Sequence, residues 1–128
     1  MRLDVVTLAA ANLERATGFY RRFLDCESRR DGSGVVYFGL PGAALALFPR
    51  EALAAYCGVD ARGGGFQGIT LSVNLASTGD VDRATARAQE AGARTVRAPG
   101  PADWGGYIAW IADPDEHLWE LVFNPNHP

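Results

Sequence analysis

Loose alternation of apolar and β-branched residues from Leu3 to Ala10 predicts a strand. Asn12 follows where a helix N-cap belongs, with Glu14 near the positive end of the helix dipole. Leu13, Ala16, Phe19, Tyr20, Phe23 and Leu24 recur at helical spacing, which gives a helix over 12–24 with an aromatic inner face. Two apolar runs, Val35 to Leu40 and Ala43 to Phe48, flank the turn dipeptide Pro41-Gly42 and read as a hairpin. A short helical segment is predicted from Arg50 to Cys57. The triplet Gly63-Gly64-Gly65 is the best linker in the chain.

Beyond the glycines the order recurs. Gly68 to Leu75 reads as a strand, and Ser77 with Asp80 three residues on is a short capping box. Val81, Ala84, Ala88 and Ala91 form the inward stripe of a helix that Gly92 ends. Ala93 to Ala98 is an outer strand. Gly106 to Ala112 and His117 to Asn124 are strands joined by Asp113-Pro114-Asp115-Glu116. Val6-Thr7-Leu8 compares with Ile69-Thr70-Leu71, and Tyr37 to Phe48 with Trp110 to Leu121. Setting Pro41 against Pro114 places Leu47 opposite Glu120. The pattern predicts one domain over 1–128 with an internal repeat of strand, helix and three strands, module 1 over 1–62 and module 2 over 63–128.

Composition narrows the class. The 128 residues, 48% hydrophobic and 21% charged, are globular and of single-domain size. All 12 basic residues are arginine, eight against seven acids in 1–62 and four against eight in 63–128. The nearest basic patch, Arg21, Arg22, Arg29 and Arg30, is interrupted by Asp25, Glu27 and Asp31, so a nucleic-acid partner is not expected. Cys26 and Cys57 lack zinc-type spacing and read as reduced, partly buried thiols. The short N-terminal apolar run, broken by Asp4 and Thr7, predicts neither a secretory signal nor a membrane span, hence a cytoplasmic protein without a membrane partner. Neither a nucleophile triad nor a phosphate-binding loop is found.

Asn12-Leu13-Glu14-Arg15-Ala16 leading into Phe19-Tyr20, and Trp104-Gly105-Gly106-Tyr107 leading to Ala112-Asp113-Pro114-Asp115 and His117-Leu118-Trp119-Glu120, resemble the vicinal oxygen chelate superfamily. That superfamily holds glyoxalase I, extradiol dioxygenases and bleomycin-resistance proteins. Glu116 departs from the pattern, because glycine is usual after Asp-Pro-Asp; a side chain there must tolerate an unusual φ or change the turn. The resemblance implies an α+β fold of two tandem βαβββ modules forming a curved mixed sheet around a cavity, and a homodimer. In the family's enzymes four side chains from the first and last strands of each module hold a divalent metal. Carried onto this sequence, those positions are Thr7, Leu47, Thr70 and Glu120, of which only Glu120 is a credible ligand. His117, three residues from Glu120, falls on the opposite face of its strand, and His127 adjoins the C-terminus. No divalent metal or other cofactor is therefore expected.

If Glu120 faces the cavity, alternation sends Leu118 and Val122 with it and turns Trp119, Leu121 and Phe123 toward the helix. Thr7, Thr70 and Ser72 add polar points; Phe38, Phe48, Trp104, Tyr107 and Trp110 are the aromatics expected to line or roof the cavity, though parity does not fix the face of Trp110. Trp104 fits a stacking lid or a plug beneath a glycine turn. Two functions follow. One is a metal-independent protein similar to the glyoxalase and bleomycin-resistance members, binding a small aromatic or planar ligand. The other is a lyase or isomerase in which Glu120 is the general base, with or without a weakly held ion. The residues leave open whether the protein is an enzyme.

Overall fold

The computed structural model describes residues 1–126 and divides the chain into two compact units, Met1–Gly65 and the remainder from Phe66. His127 lies outside the described residues. In the first unit β1 (Val5–Ala10), α1 (Leu13–Leu24), β2 (Ser28–Arg30), β3 (Val36–Phe38), β4 (Ala44–Pro49) and α2 (Arg50–Cys57) follow in order. The second unit holds β5 (Thr70–Asn74), α3 (Thr78–Ala91), β6 (Arg94–Pro101), β7 (Tyr107–Ala112) and β8 (Leu118–Phe123). Each contains a four-stranded mixed sheet, ordered β1-β4-β3-β2 in the first and β5-β8-β7-β6 in the second. The first strand of each pairs parallel with the last, and the other pairings are antiparallel. The expected α+β class and the βαβββ order of each module are therefore present.

Local chemistry fixes the helices. The Asn12 side chain accepts the Arg15 N–H at 3.0 Å and starts α1. Ser77 does the same for α3, its Oγ accepting the Asp80 N–H at 3.1 Å and donating to the Asp80 carboxylate at 2.8 Å. Gly92 ends α3 in the left-handed region at φ 116. Asp25 takes the same role after α1 with φ 49, and carries a Cβ there. Phe19, Tyr20 and Phe23 of α1 are buried against the sheet with Phe38 and Leu47, and Tyr20 and Phe38 lie 6.2 Å apart between ring centres. In the second unit Val81, Ala84 and Ala88 of α3 are buried, as are Ala109, Ile111, Trp119 and Leu121 on the sheet side.

Several expectations are corrected. The strand Ser28–Arg30, too short and too charged to register as an apolar run, is the edge of the first sheet. Cys57 is exposed rather than partly buried, on a helix with no buried residues, while Cys26 is half-buried. Two arginines of the basic stretch are ion-paired, Arg30 with Glu14 of α1 at 2.8 Å and Arg21 with Glu27 at 3.1 Å. No helix among the described residues is long and apolar enough to cross a membrane.

Candidate functional site

Register decides which side chains share a face, because residues directly opposite in a ladder point the same way and a slip of one reverses every side chain. In the second sheet Glu120 stands between Ser72 on β5 and Trp110 on β7. Ser72 Oγ donates to Glu120 Oε1 at 3.0 Å. Leu118 and Val122 lie on this face, as alternation requires, and so does Trp110, whose side was open. Trp119 and Leu121 are buried on the opposite side, toward α3. Glu120 and Trp110 are half-buried, and Thr70, Ser72 and Asn74 are exposed.

The first sheet has the same rung. Thr7 on β1 is in register with Ala46 on β4, and Ala46 with Tyr37 on β3. If Trp110 corresponds to Tyr37, then Glu120 corresponds to Ala46 and not to Leu47. The hairpins differ in length by one residue: nine positions separate Tyr37 from Ala46, but ten separate Trp110 from Glu120. The prolines at 41 and 114 therefore do not mark equivalent points. Leu47 pairs with Leu8 on the other face and is buried at 1% exposure. The carry-over to Thr70 shifts too. Ser72 occupies the rung of Glu120, while Thr70 is in register with Leu118 on the same face.

The remaining aromatics divide. Phe48 is half-buried on the Thr7 face, in register with Ala9. Phe38 is fully buried in the α1 core and cannot line an open face. Tyr107 belongs to the helix side of β7; its hydroxyl donates to Asp82 Oδ1 on α3 at 2.7 Å, and this bond holds its pKa above the ordinary tyrosine value. Trp104 is neither buried plug nor free lid. The far edge of its indole lies against buried Gly106, where a Cβ would overlap the ring, and the residue is 51% exposed. The Ala102–Gly106 turn is closed by the Ala102 N–H to the Gly106 carbonyl at 2.8 Å.

Glu116 meets the conflict anticipated for it by adopting φ 69, with the turn kept. Asp113, 2% exposed, organises that turn: its Oδ1 accepts the N–H groups of Asp115 and His117, both at 2.8 Å. His117 is thereby held in the turn by its backbone.

This chain belongs to the Glyoxalase/Bleomycin resistance protein/Dioxygenase superfamily. The family model matches residues 2–121. Among solved structures the chain is similar to a glyoxalase-related enzyme from Fulvimarina pelagi, at 27% identity and TM-score 0.86, covering 98% of this chain and 89% of that one. It is similar in fold to a glyoxalase/bleomycin resistance protein/dioxygenase family enzyme from Burkholderia phytofirmans PsJN, at 16% identity and TM-score 0.85, covering 96% and 98%. Lactoylglutathione lyase from Agrobacterium tumefaciens gives 20% identity and TM-score 0.72 over 98% and 95%. No protein of curated function gives a significant match.

A divalent ion of the kind this superfamily's enzymes hold needs about three imidazole, thiolate or carboxylate ligands with one position open. The rungs offer Thr7 and Ala46 in the first unit, Ser72 and Glu120 in the second. Among the described residues no three His, Cys, Asp or Glu side chains are grouped to hold a metal. Neither rung fits such an ion, the first offering one hydroxyl and the second one hydroxyl and one carboxylate.

Proposed function

We propose that this member of the superfamily is a metal-independent protein that binds a small planar or aromatic molecule on the Glu120 face, acting as a cytoplasmic homodimer. The donor chemistry of each rung carries the reading: Thr7 and Ala46 supply one hydroxyl, and Ser72 and Glu120 one hydroxyl and one carboxylate. The face is otherwise suited to a small ligand: half-buried Leu118 supplies apolar surface, Trp110 an aromatic plane, and Ser72 and Glu120 a few polar points. The dimer follows from the family resemblance, and β1 and β5 are edge strands bordered by exposed Val5 and Ile69. Titration of planar aromatic compounds against tryptophan fluorescence tests the binding, with saturable quenching lost in Trp110→Phe as the expected result. Light scattering on the eluted protein tests the dimer.

One observation favours a second reading. The Ser72 hydroxyl orients the Glu120 carboxylate, and a held carboxylate on an apolar face can move a proton as a lyase or isomerase requires. Glu120→Gln keeps the shape and removes the base, so turnover of any identified substrate that survives this change contradicts that role.

A further inference from the structure

One rung in each sheet carries matching side-chain types. Across β1, β4, β3 and β2 stand Thr7, Ala46, Tyr37 and Arg29. Across β5, β8, β7 and β6 stand Ser72, Glu120, Trp110 and Arg97. Both run hydroxyl, variable residue, aromatic, arginine. In the first unit the Arg29 guanidinium carbon sits 5.7 Å from the centre of the Tyr37 ring, a cation–π contact made within the chain. In the second, Arg97 donates to the Pro101 carbonyl at 3.1 Å. Trp110 makes no ring or cation contact among the described residues. Where the first rung has the methyl of Ala46, the second has a carboxylate next to the indole, at a cross-strand Cβ spacing of about 5 Å.

We propose that the second unit takes its cation from outside: Trp110, Glu120 and Ser72 form a subsite for an organic cation, a protonated amine carried on a planar ring. Indole is the strongest of the aromatic cation–π partners, and a carboxylate beside it adds a charge-assisted hydrogen bond. Of the residues that β5, β7 and β8 place on this face, Glu120 alone is ionisable. Leu118, half-buried on the same face two residues along β8, provides apolar surface for the ring. Arg97 beyond Trp110 disfavours a second positive group at that end, which orients the amine toward Glu120. The acidic excess of residues 63–128 favours approach of a cation. This inference rests on the small-molecule reading above and names the charge of its ligand.

The test uses three probes that share one ring and differ in charge: 1-naphthylmethylamine, 1-naphthalenemethanol and 1-naphthoic acid. Each is titrated into the full chain while the Trp110 indole N–H is followed by proton–nitrogen NMR, with the signal assigned from Trp110→Phe. The amine is expected to bind about tenfold tighter than the alcohol, and the acid weakest. Glu120→Gln should bring the amine to within about twofold of the alcohol. Ser72→Ala, which keeps the charge, should weaken the amine by only about threefold. Equal affinities for the three probes, or a preference for the amine that persists in Glu120→Gln, overturn the cation assignment and leave the small-molecule reading standing. A Trp110 signal that none of the probes moves overturns the subsite, and the fluorescence titration then judges the small-molecule reading alone.

Discussion

At the residue scale the β7–β8 turn concentrates two opposing effects. Glu116 holds φ 69, a left-handed conformation that costs a residue with a Cβ about 1 kcal/mol relative to glycine. Its carboxylate meets Arg94 at 2.6 Å, but both partners are more than half exposed and such pairs add little. Glu116→Gly is therefore expected to raise the unfolding free energy by up to about 1 kcal/mol in urea titration, relief of strain outweighing the lost ion pair. Asp113 acts in the other direction. Its buried Oδ1 accepts two backbone N–H groups, so Asp113→Ala should lower stability by about 2 kcal/mol, with hydrogen exchange accelerating first at Asp115 and His117. The sequence exposed the first of these positions, because Glu116 breaks a glycine pattern. It did not expose the second, since an aspartate before proline reads as an ordinary turn residue until its burial is known.

At the scale of elements the first unit turns on one position of register. Leu47 pairs with Leu8 on the α1 side, while Ala46, equally buried, pairs with Thr7 on the other face. Leu47→Ala should thus cost about 3 kcal/mol, the loss typical of a buried leucine; a loss near zero in urea denaturation would place Leu47 on the open side and reverse the register. The elements themselves were legible because caps, helical stripes and turn dipeptides are local signals. Register was not. Alternation says that Glu120, Leu118 and Val122 share a face, yet matching one hairpin to another requires the loop length between paired residues, and the prolines gave a false anchor by one residue. Phe38 and Tyr107 were misplaced for the same reason, since an aromatic residue on a strand suits either face until its partner strand is known. The bond from Tyr107 on β7 to Asp82 on α3 gives a pH prediction. The folded-state pKa of Tyr107 is raised above the ordinary value of 10.0, first by that hydrogen bond. Its contribution to stability is fully present below the unfolded value and is lost as pH rises through the folded one. Stability measured from neutral to strongly alkaline pH should fall more steeply in the wild type than in Tyr107→Phe.

At the scale of the whole molecule the repeat is the organising fact. Two βαβββ units carry equivalent rungs and have diverged at the position beside the aromatic, alanine in one and glutamate in the other. The class and the duplication were readable because both halves repeat the same order of elements. The charge character of the second rung was hidden, because it depends on four residues from four strands meeting in line.

Metal content after loading tests the central claim most directly. Purified protein is incubated with nickel, zinc, manganese and iron(II) salts, dialysed and measured by elemental analysis. The donor set predicts that every metal stays well below one equivalent per chain and is the same in wild type and Glu120→Gln. One equivalent of any of them, retained through dialysis and lost in Glu120→Gln, would contradict the account.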